Sequence, residues 1–99
     1  MSDPTQLTVT EHAVLSVLSD LGRAYGLQIV QASEGALRRA SIYVLLGRLQ
    51  DKGFVQSHLE DRMAGQRGPR RRVYRITATG HRVLSAWELA RAIMIGARS

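Results

Sequence analysis

Apolar residues recur at steps of three and four through Val14, Val17, Leu18 and Leu21, a spacing that predicts a first helix over residues 9–19. Thr8 and Glu11 stand at capping-box spacing at its start. Gly22 and Gly26 bracket a short connection made of Arg23, Ala24 and Tyr25, and a second helix carrying Ile29 and Val30 is expected over 27–33, stopping near Gly35. The third helix has the clearest stripe: Ile42, Leu45, Leu46 and Leu49 occupy i, i+3, i+4 and i+7, and Gly53 is placed to end it. Its opposite face, Ala40, Val44 and Gly47 flanked by Ser41, Tyr43 and Arg48, is small and smooth for a face that meets only water.

The period then changes. Residues 54–59 read as a strand, and residues 72–76 alternate with period two as its return partner. The long connection between them holds Met63, Ala64, Gly65, Gln66, Arg67, Gly68, Pro69 and Arg70, too many breakers for a tight turn. A last helix is expected over 78–95, opened by Thr77 and stopped by Gly96. Val83, Trp87, Ala90 and Met94 form its apolar stripe, widened by Ala86, Leu89 and Ile93 on one side and by Leu84 and Ile95 on the other. Only His81, Ser85, Glu88 and Arg91 are left as a polar face. So apolar a helix has more surface to bury than one small core accepts, and burial against a partner is the natural outlet.

Helix, helix, helix, strand, strand, helix is an α+β order, mainly α, and it sets a basic β-hairpin directly after a helix-turn-helix. That is the layout of a winged helix-turn-helix. The division it implies is an N-terminal arm over 1–8, a winged-helix domain over 9–77 and a C-terminal dimerisation helix over 78–99.

At 99 residues the chain holds one domain, and 44% hydrophobic residues is too apolar for disorder. The formal charge of +6 points to a polyanionic partner, nucleic acid ahead of a membrane. No cysteine is present, so disulfides, thiol catalysis and thiolate metal sites are excluded. Neither a signal peptide nor an apolar run of about 20 residues is evident, which makes a cytoplasmic protein the expectation.

Charge concentrates in the expected hairpin, where Arg62, Arg67, Arg70, Arg71, Arg72 and Arg75 crowd together beside the acids Glu60 and Asp61. Charges this dense repel unless an anion neutralises them, and the planar guanidinium fork suits phosphate. Such a run also serves solubility alone; its place on a hairpin beside a recognition-type helix favours phosphate. In helix 3, Ala40, Val44 and Gly47 allow close approach to base edges but cannot donate hydrogen bonds. Polar readout is therefore expected from Arg39, Ser41, Tyr43 and Arg48, with Arg67, Arg70, Arg71 and Arg72 on phosphates. Arg38 and Arg39 at the helix start oppose its dipole, a small cost that a bound phosphate offsets. His12, His58 and His81 fall on three separate elements without metal-site spacing, and no nucleophile or cofactor motif is present. No catalysis, metal or cofactor is expected.

From Glu11 to Trp87 the chain resembles the DNA-binding domain of PadR-type bacterial transcriptional regulators. The matching pieces are Tyr25 and Gly26; Ser41, Ile42, Tyr43, Leu46, Arg48 and Leu49; Gly53, Phe54 and Val55; Gly68, Pro69, Arg70 and Arg71; Tyr74, Arg75, Ile76 and Thr77; and Gly80. The resemblance implies a homodimeric winged-helix repressor on bacterial nucleoid DNA, with helix 3 in the major groove. Its wing would touch backbone or minor groove, and its last helix would form the dimer interface. By position, Tyr43 matches the family's tyrosine near the recognition-helix start, Ser41 its threonine, and Arg70 and Arg71 its basic wing. Some small members bind flat aromatic molecules between protomers on a tryptophan of the last helix, which makes a small aromatic effector at Trp87 a further expectation, although Trp87 lies about one turn early. Leu27 replaces a common tyrosine and Ala40 a glycine. Two other readings stay open from the residues alone: a winged-helix protein-interaction module, and a non-specific architectural nucleic-acid-binding protein.

Overall fold

Helix α1, Val9–Leu21, begins where Thr8 and Glu11 satisfy each other's backbone donors. The Glu11 amide donates to Thr8 Oγ1 at 3.1 Å, and the Thr8 amide donates to Glu11 Oε1 at 2.9 Å. It ends two residues later than its periodicity suggested, at Gly22, whose φ of 81° turns the chain out while its amide donates to the Leu18 carbonyl. The computed structural model describes residues 7–61, 65, 67, 68 and 70–97. Most of the expected arm (1–6), and Arg62, Met63, Ala64, Gln66 and Pro69 of the expected hairpin tip, lie outside the described residues.

The residues expected to be a plain connection, Arg23–Tyr25, are strand β1. Three residues carry too short a pattern to show a period, and the pairing that makes them a strand comes from far along the chain. Helix α2 follows as Gly26–Ala32 and α3 as Ile42–Asp51. Because α3 starts at Ile42 with Ser41 as its N-cap, Arg39 and Ala40 lie in the preceding turn and not on the helix. Strand β2 is Val55–Leu59, β3 is Arg72–Ile76 and α4 is Ala78–Ala97.

All three strands form one antiparallel sheet in the order β1-β3-β2. Ala24 pairs with Tyr74 and Tyr25 with Val73 on one side of β3; Ser57 pairs with Tyr74 and Leu59 with Arg72 on the other. The helical stripes and the inner sheet face share one core of Val14, Leu15, Leu18, Ile29, Leu45, Leu46, Leu49, Val55 and Tyr74. Complete burial of a leucine such as Leu46 contributes about 1.5–3 kcal/mol, which is why the apolar period of α3 dictates which face it shows to solvent.

Thr77 opens α4 by accepting from the Gly80 amide at 3.0 Å and donating to the Gly53 carbonyl at 2.7 Å. Gly80 sits so close to the Phe54 carbonyl that a Cβ would collide with it. Gly96 does not stop the helix: its φ stays in the ordinary range, and α4 runs on through it to Ala97.

Candidate nucleic-acid interface

The outward side of α3 is open. Tyr43 is 54% and Val44 55% exposed, Arg48 is exposed, and a Cβ added to Gly47 would meet nothing within 4 Å. Across from it, α2 begins with a buried glycine whose missing side chain makes room for an aromatic ring. A Cβ on Gly26 would stand 2.8 Å from Cε1 of Tyr43. The ring of Tyr43 is thereby set over the first turn of α2.

Between these helices and the β2–β3 pair runs an open groove of about 690 Å³. Its walls are Gln28, Gln31 and Leu27 of α2, Tyr43 of α3, and Tyr25 at the end of β1. Arg67, Arg70, Arg71 and Arg72 close it on the hairpin side. None of these four arginines forms a salt bridge to an acid of the chain among the described residues. Four unneutralised guanidiniums on one concave wall focus positive potential into the groove.

Polar contacts hold the hairpin base to the helices. Arg72 Nη1 donates to Ser57 Oγ at 3.1 Å, and Ser57 Oγ lies 2.9 Å from Gln50 Oε1 at the end of α3. The Tyr25 hydroxyl donates to Glu60 Oε2, and the Arg71 guanidinium sits 5.1 Å from the centre of the Tyr25 ring. The hydrogen bond to the Glu60 carboxylate pushes the Tyr25 phenol pKa up, burial adds to the rise, and Arg71 opposes it.

The groove therefore gathers Tyr43, Arg67, Arg70, Arg71 and Arg72 from the expected set. Arg39, Ser41, Val44, Gly47 and Arg48 lie outside its lining, on α3 and the turn before it. Tyr25, Gln28 and Gln31 were not foreseen. Gln28 and Gln31 stand three apart on α2, a spacing that shares a helix face and was readable in principle.

The stripe expected on α4 divides in two. Val83 is 7% exposed and packs within the protein's own fold, as does Leu84. Trp87 is half-buried and stacks on His12 of α1, with ring centres 3.8 Å apart at 21°. The shielded Nε2 of His12 has no hydrogen-bond partner, and Glu88 Oε1 lies 3.9 Å away. Burial lowers the His12 pKa; Glu88 counters that and Arg91 adds to it. Ala90 is half-buried, and beyond it Leu89, Ile93, Met94 and Ile95 stand exposed. No group of three or more metal-binding side chains occurs among the described residues, and no helix there is long and apolar enough to cross a membrane.

Residues 14–86 match the model of the transcriptional regulator PadR-like family. A PadR family transcriptional regulator from Eggerthella lenta is 30% identical, with a TM-score of 0.68 over 85% of this chain and 75% of that one. The YusO protein of Bacillus subtilis superposes with a TM-score of 0.81 at 15% identity, over 95% of this chain and 62% of that one. BpsR of Bordetella bronchiseptica, whose DNA binding is regulated by 6-hydroxynicotinic acid, superposes with a TM-score of 0.72 at 21% identity, over 97% of this chain and 67% of that one. No curated protein shows significant similarity.

Proposed function

The chain belongs to the PadR-like family of transcriptional regulators, and from that premise we propose that it is a sequence-specific repressor that grips duplex DNA as a homodimer. In this reading α3 enters the major groove with Tyr43, Val44, Gly47 and Arg48 toward base edges. Arg39 and Ser41 stand at its leading end, and the β2–β3 hairpin is the wing, laying Arg67, Arg70, Arg71 and Arg72 along backbone or minor groove. Two-fold symmetry makes the operator an inverted repeat with half-site centres about one helical turn apart. The observation that carries this is the groove itself, where four arginines without a salt bridge among the described residues face Tyr43 across a concavity open to solvent.

Dimerisation falls to α4, through Trp87, Ala90 and Met94 with Leu89 and Ile93 beside them. Val83 supports that helix from inside the fold instead of meeting the partner. A small aromatic effector would lie against the part of the half-exposed Trp87 ring that His12 leaves uncovered, a reading in keeping with the ligand-regulated structural neighbour BpsR. The protein would act in the cytoplasm, on the nucleoid.

Selection of bound fragments from sheared genomic DNA, followed by gel shifts on the enriched duplex and on a shuffled copy, tests the reading. The enriched fragment should carry an inverted repeat and bind at least ~10³-fold tighter than the shuffled one. Affinity for both should fall steeply with salt. Equal binding to every duplex would leave a non-specific architectural protein. No salt-dependent binding at all would leave a protein-interaction module.

A further inference from the structure

We infer that Tyr25 and Glu60 form a strap across the sheet that fixes the β2–β3 hairpin against the start of α2 and so sets where Arg71 stands in the groove. The inference rests on the DNA-binding reading and adds two positioning residues to it.

The sheet order is what makes the contact unusual. Tyr25 closes β1 and pairs with Val73 of β3, whereas Glu60 leaves the end of β2, on the far side of β3. The Tyr25 hydroxyl therefore reaches past the central strand to the exit of the opposite outer one. Glu60 is also where the ladder closes: its amide donates to the Arg71 carbonyl at 2.8 Å, one step beyond the Leu59–Arg72 pair. Arg71 then lays its guanidinium against the strap's own ring. One side-chain bond thus joins the end of β1 to the residue just past β2, and the cation it organises stands immediately before the central strand β3.

The charge of Glu60 sharpens the point. An acid beside Arg67, Arg70 and Arg71 weakens attraction to phosphate at long range, so electrostatics alone gives no reason for a carboxylate there. An acceptor for Tyr25 does. The two roles predict opposite signs for the same substitution.

The test measures binding of a fluorescein-labelled mixed-sequence duplex by the wild type and by Glu60→Ala, Glu60→Gln and Tyr25→Phe, with melting curves to establish folding. If the strap positions Arg71, Glu60→Ala weakens binding about three- to tenfold even though it removes a negative charge, and Tyr25→Phe weakens it similarly. Glu60→Gln keeps an acceptor for the hydroxyl and binds at least as tightly as the wild type. If Glu60→Ala and Glu60→Gln instead tighten binding equally, only charge matters and the inference is overturned. Hydrogen exchange at the Glu60 amide reads the strap without DNA. It should quicken in Tyr25→Phe, and unchanged exchange would refute the strap. A wild type that ignores the duplex would defeat the DNA-binding reading, while the exchange measurement would still decide the strap.

Discussion

Lys52, just past the end of α3, places its Nζ 2.8 Å from Oε2 of Glu11 in the first turn of α1. Glu11 is 1% exposed, the one buried charged residue among those described, and its carboxylate also takes the Thr8 amide. The same side chain therefore caps one helix and anchors another, joining the start of α1 to the end of α3.

That double role gives the fold an acid-sensitive joint. Burial raises the Glu11 pKa, but the bonds from Lys52 and Thr8 and the charge of Lys52 outweigh it and hold the carboxyl below its ordinary 4.5. A folded value below the unfolded one means the contribution is complete above pH 4.5 and is lost as pH falls through the folded value. Lys52→Met should cost about 1–2 kcal/mol, discounted because the lysine is 39% exposed. Urea titrations from pH 7 to about pH 3 should show the wild type losing stability in acid, and Glu11→Gln losing less of it.

Two glycines separate folding from binding. Gly47→Ala places a methyl in open space on an exposed helix and should stabilise the fold by about 0.5–1 kcal/mol. It should also weaken DNA binding, because the methyl keeps the α3 backbone off the base edges. Gly80→Ala drives a methyl into the Phe54 carbonyl and should cost about 3 kcal/mol. Thermal melts paired with gel shifts check both; a Gly47→Ala variant that binds like the wild type would argue against close approach of α3.

Mild acid should loosen the α1–α4 junction. His12 in the folded state takes up a proton less readily than a free imidazole because burial disfavours its charge, so the unfolded chain binds more protons below pH 6.5. The contribution is full above pH 6.5 and declines as pH drops toward the folded value. Trp87, the sole tryptophan, reports on the stack directly. Its fluorescence should titrate in this range, and His12→Gln should abolish the titration.

The proposed dimer should depend on the distal half of α4. Ile93→Glu combined with Met94→Glu should weaken self-association by about thirtyfold or more, on the scale of an interface hot spot, with little change in monomer melting. Val83→Thr should lower the melting temperature and spare association, since Val83 is already covered within the protomer. Sedimentation velocity at micromolar concentration separates the two effects.

Long amphipathic patterns were legible in the sequence; contacts across it were not. Ile42, Leu45, Leu46 and Leu49 are buried as their spacing predicts, and Val44 and Gly47 are exposed opposite them. β1 escaped because Arg23, Ala24 and Tyr25 become a strand only through partners on β3. The α4 stripe counted Val83 with Met94, but a helix that starts against the sheet and then projects past it has two environments along one face, and periodicity does not distinguish them. Tyr43 against Gly26 and Tyr25 against Glu60 join separate elements, so no local spacing encodes them.

Since β3 lies between two strands that precede it in the chain, the sheet stays unfinished until the residues just before α4 are made. A chain still emerging from the ribosome would carry its helix-turn-helix early and the middle strand of its sheet late. The sheet that backs the proposed DNA groove would then close only once Arg72–Ile76 had slotted between β1 and β2, and a product truncated ahead of Arg72 would lack its middle strand.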